Sequence, residues 1–303
     1  MIIDSVLEII GETPLLNLSK ISVENGAVLY GKAEFLNPMG SVKDRPAMAM
    51  IEAAEISGEL KKGMTIIEAT SGNTGIGLAM VAAVKGYKLE LYIDKDVSRG
   101  ICKIAEYMGA KLIESDGFAL AVEDAKAKWI GNKNKYYLAG QFDNEENPKI
   151  HSKTTAREII RDVGPRIKAF VASYGSGGSF SGIGTELKKY NNDIQLILVE
   201  PKGMSRFSNN NVSCSEIHGI GPSFLPKNMD VDLFDDTIIV NEEQALETVK
   251  LLATQLGILC GPSSGAMVHA AIEIASKLNP EDVVITLLPD RGDRYFDGDE
   301  FGD

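Results

Sequence analysis

Short apolar runs alternate with helix-like patterns along this chain, and the alternation restricts the fold more than any other feature. Residues 64–68 and 283–287 have the composition of buried strands, whereas 46–57 and 242–255 repeat apolar residues at helical spacing. Similar strand-like runs lie at 89–93, 169–172, 196–199 and 237–240, and similar helical patterns at 75–85, 101–108, 117–129, 153–163 and 264–277. The pattern predicts an α/β fold with open, mostly parallel sheets, in which ligands bind beyond the carboxyl ends of the strands.

The length of 303 residues corresponds to roughly two domains. No proline- or serine-rich tether separates them, so the boundaries are placed near Asn37-Pro38 and between residues 144 and 148. We expect a larger domain of residues 1–37 plus 148–303 and a smaller one of residues 38–147, each an open twisted sheet flanked by helices. The tail 290–303, rich in acids and glycine, is predicted to be a solvated terminus.

The charge balance narrows the range of partners. There are 31 Lys and Arg against 43 Asp and Glu, a net charge of -12, so nucleic acid and anionic membranes are not expected to bind. An anionic ligand would have to be held by local donors such as backbone amides. The three cysteines form no CxxC pair, and the N-terminus resembles no signal segment, so a cytoplasmic protein is expected. The three histidines form no metal motif, and no metal site is expected.

A glycine-rich loop follows the strand-like run 169–172. Its successive glycines allow backbone N–H groups to converge at the start of a helix, which predicts a phosphate site, with a simple tight turn as the alternative. The residues concerned are Gly175, Ser176, Gly177, Gly178 and Ser179. The GxGxxG fingerprint fails because Phe180 replaces its third glycine. The GxxxxGK match at 26–32 is rejected, because it lacks the Ser or Thr and its interior is strand-like.

Two further turns carry reactive or binding side chains. The loop Thr70-Ser71-Gly72-Asn73-Thr74 combines hydroxyls, an amide and helix-start donors, which suits a carboxylate, although ordinary helix capping is the alternative. Lys43 opens a helix beside Arg45, and both features disfavour the charged amine, as a lysine nucleophile requires. A solvated surface lysine is the alternative reading.

Taken together, these motifs resemble the cysteine synthase family of fold type II pyridoxal-phosphate (PLP) enzymes, which includes O-acetylserine sulfhydrylase and cystathionine β-synthase. The resemblance extends over nearly the whole chain. Its ordered matches are Gly11–Leu15, the Lys43 turn, Thr70–Gly75, Gln141-Phe142, Asn147-Pro148, the glycine loop, Gly219–Gly221, Gly261–Gly265 and Leu288–Asp290.

The resemblance implies specific roles. Lys43 would bind PLP covalently and carry the Cα proton, the loop 175–179 would hold the cofactor phosphate, and Asn73 would bond the ring hydroxyl. The clamp on the substrate carboxylate would consist of Thr70, Ser71, Thr74 and Gln141. Ser263 would face the pyridine nitrogen, where a hydroxyl leaves the ring a weaker electron sink than an acid would and favours β-elimination to an aminoacrylate. Helix N-capping is the alternative role for Ser263.

Two segments depart from the family pattern. Many sulfhydrylases carry a Pro…Met-Ser-x-Glu-Arg-Arg segment where this chain has Asp94–Cys102, which weakens the expectation of a sulfide acceptor. Asp232 is an acid where the family usually lacks one, in a segment expected at the mouth of the site. Its carboxylate could act as a general base on water and would repel hydrosulfide, although it could equally be one of several acids on a solvated turn.

These observations predict PLP-dependent β-elimination and β-replacement on a β-substituted L-alanine. The specific expectation is a cysteine hydroxyl-lyase that converts L-cysteine and water to L-serine and H₂S. O-acetylserine sulfhydrylase is the first alternative, a serine or threonine dehydratase-like elimination the second, and a binding protein without turnover the third. The substrate would be a small amino acid, and the family resemblance implies a homodimer.

Overall fold

The computed structural model describes residues 2–70, 72–95, 99–213, 215 and 217–296. The strands in these residues are β1 Leu15–Asn17, β2 Val28–Lys32, β3 Thr65–Ala69, β4 Lys88–Asp94, β5 Lys111–Ser115, β6 Tyr136–Leu138, β7 Ile167–Ser173, β8 Gln195–Pro201, β9 Asp236–Val240 and β10 Val283–Leu287. The α-helices are α1 Asp44–Ser57, α2 Asn73–Lys85, α3 Arg99–Tyr107, α4 Phe118–Gly131, α5 Glu146–Lys153, α6 Thr155–Val163, α7 Gly178–Tyr190, α8 Arg206–Asn209, α9 Glu242–Leu256 and α10 Pro262–Ala275.

The chain divides into two compact units. The smaller unit contains the residues up to Ile10 together with Asn37–Asn147, and the larger contains Gly11–Leu36 together with the described residues from Pro148 onward. The N-terminal segment therefore differs from the expectation, which placed residues 1–37 in the larger domain. The physical reason is apolar packing, because Val6, Leu7 and Ile10 lie against the hydrophobic core of the smaller unit.

The smaller unit is built on a four-stranded sheet of order β5-β4-β3-β6 in which every pair is parallel. Successive residues of a strand point to opposite faces, so Ile66 packs in the core with helices α1 and α2 while Ile67 packs against α4. Burial on both faces explains the nearly continuous apolar sequence of β3. The loops after β3 and β6 emerge side by side at one edge, because the two strands are adjacent.

The larger unit contains a six-stranded sheet of order β1-β2-β10-β7-β8-β9. Only the β1–β2 pair is antiparallel, and the other pairs are parallel. The central strands β7 and β10 are buried along most of their length, and α10 lies in the same core. Helices flank mostly parallel sheets in both units, so the predicted α/β fold class is confirmed.

Several elements escaped the sequence patterns. Strand β5 is partly exposed and β6 has three residues, so neither produces a clear apolar run. The predicted helix 153–163 begins instead at Thr155, with Thr154 at its N-cap position after α5 ends at Lys153.

The described part of the C-terminal tail is partly buried. Asp290 is 2% exposed and accepts a hydrogen bond from the Tyr295 hydroxyl at 2.6 Å, while Tyr295 is 4% exposed. The expectation of a solvated terminus is therefore wrong for Asp290, Gly292 and Tyr295, because an aromatic residue anchors the segment, whereas Arg291 and Asp293 are exposed. Residues 297–303 lie outside the described part of the chain.

Candidate functional site

The loop after β3 is closed by its own side chains. The Oγ1 atom of Thr70 accepts a hydrogen bond from the Gly72 amide at 3.2 Å, and Thr70 is buried. Helix α2 begins at Asn73 with Gly72 at the N-cap position, and no side chain caps it. Among the described residues of the loop, namely Thr70, Gly72, Asn73 and Thr74, the alternative role as a side-chain helix cap is therefore not found. Ser71 lies outside the described residues.

A hydrogen-bonded pair joins this loop to the segment that follows β6. The Thr74 hydroxyl donates to Gln141 Oε1 at 2.6 Å, and Gln141 Nε2 donates to the Ala69 carbonyl at 3.2 Å. Thr74 is 2% exposed and Gln141 is 6% exposed. Two polar side chains predicted to bind one carboxylate thus lie in contact, although 67 residues separate them.

Lys43 occupies the N-cap position of α1 and is half-buried. Its main chain packs closely on α2, because a Cβ atom added to Gly77 would lie 3.1 Å from the Lys43 carbonyl oxygen. The preceding turn is fixed by the buried carboxylate of Asp44, whose Oδ2 accepts the Met39 amide at 2.6 Å. A tight glycine contact and a buried carboxylate therefore fix the backbone from which the lysine projects.

The glycine loop of the larger unit is packed backbone to backbone. Gly177 has a φ of +85°, and a Cβ atom there would lie 2.6 Å from the Met229 nitrogen. A Cβ atom on Gly175 would lie 2.7 Å from the Gly219 carbonyl oxygen. Helix α7 begins at Gly178, and the first amides of a helix have no intrahelical acceptors. The loop therefore presents main-chain donors and the positive end of a 13-residue helix, which together suit an anion in an acidic chain.

A buried histidine supports the end of this loop. His151 is 1% exposed, its Nε2 lies 3.2 Å from Ser179 Oγ, and its Nδ1 lies 3.0 Å from Thr155 Oγ1. Sequence reasoning assigned His151 no part in the site. The spacing of four between His151 and Thr155 was a signal of their contact, but nothing local indicated Ser179.

Ser263 and Asp232 also belong to the larger unit. Ser263 is the second residue of α10 and is 6% exposed. Gly261 is the N-cap residue of that helix, so the alternative role of Ser263 as N-cap is wrong. Asp232 is exposed, and its amide donates to Asp230 Oδ1 at 3.2 Å. Asp232 therefore lies on an exposed turn, which agrees with the alternative interpretation that it is one of several acids on a solvated turn.

A buried carboxyl group that sequence reasoning missed lies at the end of β3. Glu68 is 2% exposed, and its Oε2 accepts the amides of Gly140 and Gln141 at 2.6 and 3.2 Å. Burial raises the pKa of Glu68 to about 7, although the backbone hydrogen bonds act in the opposite direction. The signal was available, since Glu68 is the only acid in the apolar run 64–68.

The described residues contain neither a metal cluster nor a membrane-spanning helix. Among those residues no group of three or more His, Cys, Asp or Glu is arranged to hold a metal ion. No helix among them is long and apolar enough to cross a membrane. The Asp94–Cys102 segment is described only in part, because residues 96–98 and the side chains of Arg99 and Ile101 lie outside the described set.

Comparison with known proteins gives full-length matches. A family model described as "Pyridoxal-phosphate dependent enzyme" matches residues 6–290. A probable cysteine synthase of Bacillus subtilis is 42% identical, over 98% of this chain and 97% of that protein. A hydrogen sulfide-producing enzyme from Fusobacterium nucleatum has a TM-score of 0.91 at 36% identity, covering 97% of this chain and 100% of that one. A cysteine synthase from Entamoeba histolytica has a TM-score of 0.95 at 32% identity, covering 100% and 92%.

Proposed function

Because the chain belongs to the PLP-dependent enzyme family, and within it to the cysteine synthases, we propose that it converts L-cysteine and water to L-serine and H₂S. The resemblance deduced from the motifs is confirmed, and the cofactor is PLP. In this reaction the Cβ–S bond of L-cysteine breaks and a Cβ–O bond to water forms. The sulfur leaves as hydrosulfide and takes up a proton, while the water gives one up.

In each unit, taken by itself, the residues suit one part of the cofactor. The first main-chain amides of the 13-residue helix α7, at Gly178 and Ser179, have no intrahelical acceptors and therefore suit a phosphate. Lys43 provides the amine that binds an aldehyde. We assign the phosphate to residues 175–179, the ring hydroxyl to Asn73 and the pyridine nitrogen to Ser263. When bound, PLP withdraws electrons from the bonds at the substrate Cα. Lys43 then holds and returns the Cα proton at its Nζ atom.

The substrate carboxylate is assigned to the loops after β3 and β6. Thr70, Ser71, Thr74 and Gln141 supply neutral donors, which avoids adding a cation to a chain with a net charge of -12. The contact between Thr74 and Gln141 supports this assignment, since it gathers two of the four side chains at one place.

The observation that carries the hydroxyl-lyase reaction is that the segment just before Asp232, residues 228–230, contacts the glycine loop and the start of α7. The backbone of Asn228 and Met229 packs on Gly177, and the Asp230 amide donates to Ser181 Oγ at 2.9 Å in the first turns of α7. Asp232 follows two residues later with an exposed carboxylate. A solvent-exposed carboxylate on a segment that contacts the proposed phosphate loop suits a base that takes a proton from water.

The experiment is an incubation of the PLP-loaded enzyme with L-cysteine alone, with L-serine, sulfide and pyruvate quantified. Equal amounts of serine and sulfide are expected. Sulfide with pyruvate and no serine would contradict the proposal and select the dehydratase-like elimination. Asp232→Asn should abolish serine formation and leave the cofactor absorbance unchanged, whereas Asp236→Asn, at an exposed acid that begins β9, should behave as wild type.

Cysteine synthesis from O-acetylserine and sulfide is the second candidate, and the names of the relatives favour it. The same enzyme preparation, given O-acetyl-L-serine and sulfide, measures it directly. A value of kcat/KM at least tenfold above that for L-cysteine hydrolysis would make this the principal reaction.

We also propose that the enzyme is a homodimer of the cytoplasm. Three large apolar side chains of the smaller unit are almost fully exposed in the single chain, namely Ile2 (96%), Tyr107 (96%) and Ile56 (88%). If such side chains form one contiguous patch in the folded protein, that patch suits a subunit contact. Light scattering after size exclusion should give about twice the chain mass of 32.7 kDa, and a monomer would contradict the proposal.

A further inference from the structure

A buried acid, Glu68, is bonded to the segments that carry the residues proposed to bind the substrate. The backbone ladder between β3 and β6 ends at the registered pair Ile67–Leu138 and at the bond from the Ala139 amide to the Ile67 carbonyl, 3.0 Å long. The chain then turns away at Gly140, whose φ is +69°. Beyond this turn the amides of Gly140 and Gln141 bond to the Glu68 side chain instead of to the backbone of β3.

The carboxyl of Glu68 bridges this gap with both of its oxygens. Oε2 accepts the Gly140 and Gln141 amides, and Oε1 accepts the Ala69 amide at 3.2 Å. A carboxylate supplies two acceptor oxygens, whereas a glutamine in its place would turn one NH₂ group toward a backbone N–H. The geometry therefore requires a carboxyl group rather than a polar side chain of similar shape.

From this arrangement we propose that Glu68 is a positioning residue, which holds the Gln141 segment so that Gln141 and Thr74 bind the carboxylate of the amino-acid substrate. The proposal rests on the carboxylate clamp assigned under the proposed function. The chain of contacts is continuous, because Gln141 is bonded to Glu68 through its main chain and to Thr74 and Ala69 through its side chain. Glu68 itself is 2% exposed and acts through Gln141.

The cost of burying this acid supports the inference. Burial raises the pKa of Glu68 to about 7, so ionising it in the folded protein is unfavourable relative to solution. A purely structural position filled by an apolar residue would avoid this cost. The orientation of two main-chain amides at the edge of the site is what the carboxyl group provides in return.

The test compares two probes on the PLP-loaded enzyme by titration calorimetry, namely L-alanine, which has the carboxylate, and L-alaninamide, which lacks it. Glu68→Gln should weaken L-alanine binding about tenfold, the equivalent of about 1.4 kcal/mol, and leave L-alaninamide unchanged. Glu68→Asp keeps both oxygens but withdraws them by one methylene, so a smaller loss, about threefold, is expected. Glu90→Gln, on the neighbouring strand β4, is the matched control and should bind both probes as wild type.

Turnover of L-cysteine gives a second readout, in which KM should rise about tenfold in Glu68→Gln while kcat changes less than twofold. Unchanged L-alanine affinity in Glu68→Gln, or equal weakening of both probes, would overturn the role of Glu68. If Glu68→Gln does not fold, Glu68→Asp decides, and a loss below about 1.5-fold would overturn it. A wild-type enzyme that binds the two probes equally would instead refute the carboxylate clamp of the proposed function.

Discussion

The two loops that we propose to bind anions are built on opposite principles. The loop of the smaller unit depends on side chains, with Thr74, Gln141 and Glu68 joined by hydrogen bonds of 2.6 to 3.2 Å. The loop of the larger unit depends on main chain, with Gly175 and Gly177 packed against other backbone so closely that a Cβ atom has no room. Side-chain donors can rearrange when a substrate enters and leaves, whereas packed main chain holds a resident phosphate in one geometry. The difference suggests which loop serves the substrate and which serves the cofactor.

Gly177→Ala should produce the largest effect. Its φ of +85° disfavours alanine, and the added methyl carbon would lie 2.6 Å from the Met229 nitrogen. We expect the free energy of unfolding to fall by about 3 kcal/mol or more, measured by denaturant titration. Gly72→Ala in the other loop has nothing within 4 Å of its added carbon, and should cost only about 1 kcal/mol, the usual cost of alanine at an N-cap position. Equal losses in the two variants would remove the contrast between the loops.

The free energy of unfolding should depend on pH through Glu68, a buried acid of the side-chain-built loop in the smaller unit. This carboxyl ionises near pH 4.5 when unfolded and near pH 7 when folded, so between these values the folded chain binds the extra proton. Raising the pH through this range should therefore destabilise the wild type, by about 3 kcal/mol relative to Glu68→Gln. Unfolding free energies of both proteins at pH 4.5, 6 and 8 measure the effect. Parallel curves would show that Glu68 titrates normally.

Thr74→Val tests whether the side-chain loop is a connected unit. The substitution keeps the shape but leaves Gln141 Oε1 without its 2.6 Å donor, so a loss of about 2 kcal/mol in unfolding free energy is expected. The KM for L-cysteine should rise while PLP affinity remains constant. Thr65→Val, at the opposite end of β3, is the control and should leave the KM for L-cysteine and the PLP affinity unchanged. A change in PLP affinity for Thr74→Val would argue against separate roles for the loops.

Ser179→Ala should have the smallest effect, because main-chain amides supply most of the donors of the proposed phosphate site. It removes the hydroxyl that lies 3.2 Å from His151 Nε2. A cost of about 1 kcal/mol, or about a fivefold increase in the Kd of PLP, is expected from fluorescence titration of the apoenzyme. The exposed Ser276→Ala should leave PLP binding unchanged. A hundredfold loss for Ser179→Ala would mean that side chains dominate this loop as well.

The sequence predicted the parts of the molecule that local pattern determines. Strands β3, β4, β7, β8 and β10 were visible because burial on both faces requires continuous apolar runs. Strand β6, with only three residues, has no such signature. The first ten residues were assigned to the wrong unit, because their packing partners are distant in sequence.

Site residues follow the same distinction. The glycine loop and Lys43 stand out locally through residue type and their position before a helix. The contacts of Gln141 with Thr74, and of His151 with Ser179, depend on pairings between segments 67 and 28 residues apart, which periodicity does not encode. Tyr295 likewise fixes the tail through a buried hydrogen bond to Asp290 that the acidic composition concealed.

The central claim is that Lys43 is the residue that binds PLP, and borohydride reduction of the PLP-loaded enzyme tests it most directly. Reduction fixes the cofactor on the amine to which it is bound, and peptide mass mapping then locates it. We predict a single pyridoxyl-lysine at Lys43, together with loss of the visible absorbance band. A label on any other lysine, or no label in an enzyme that has been saturated with PLP, would contradict the account.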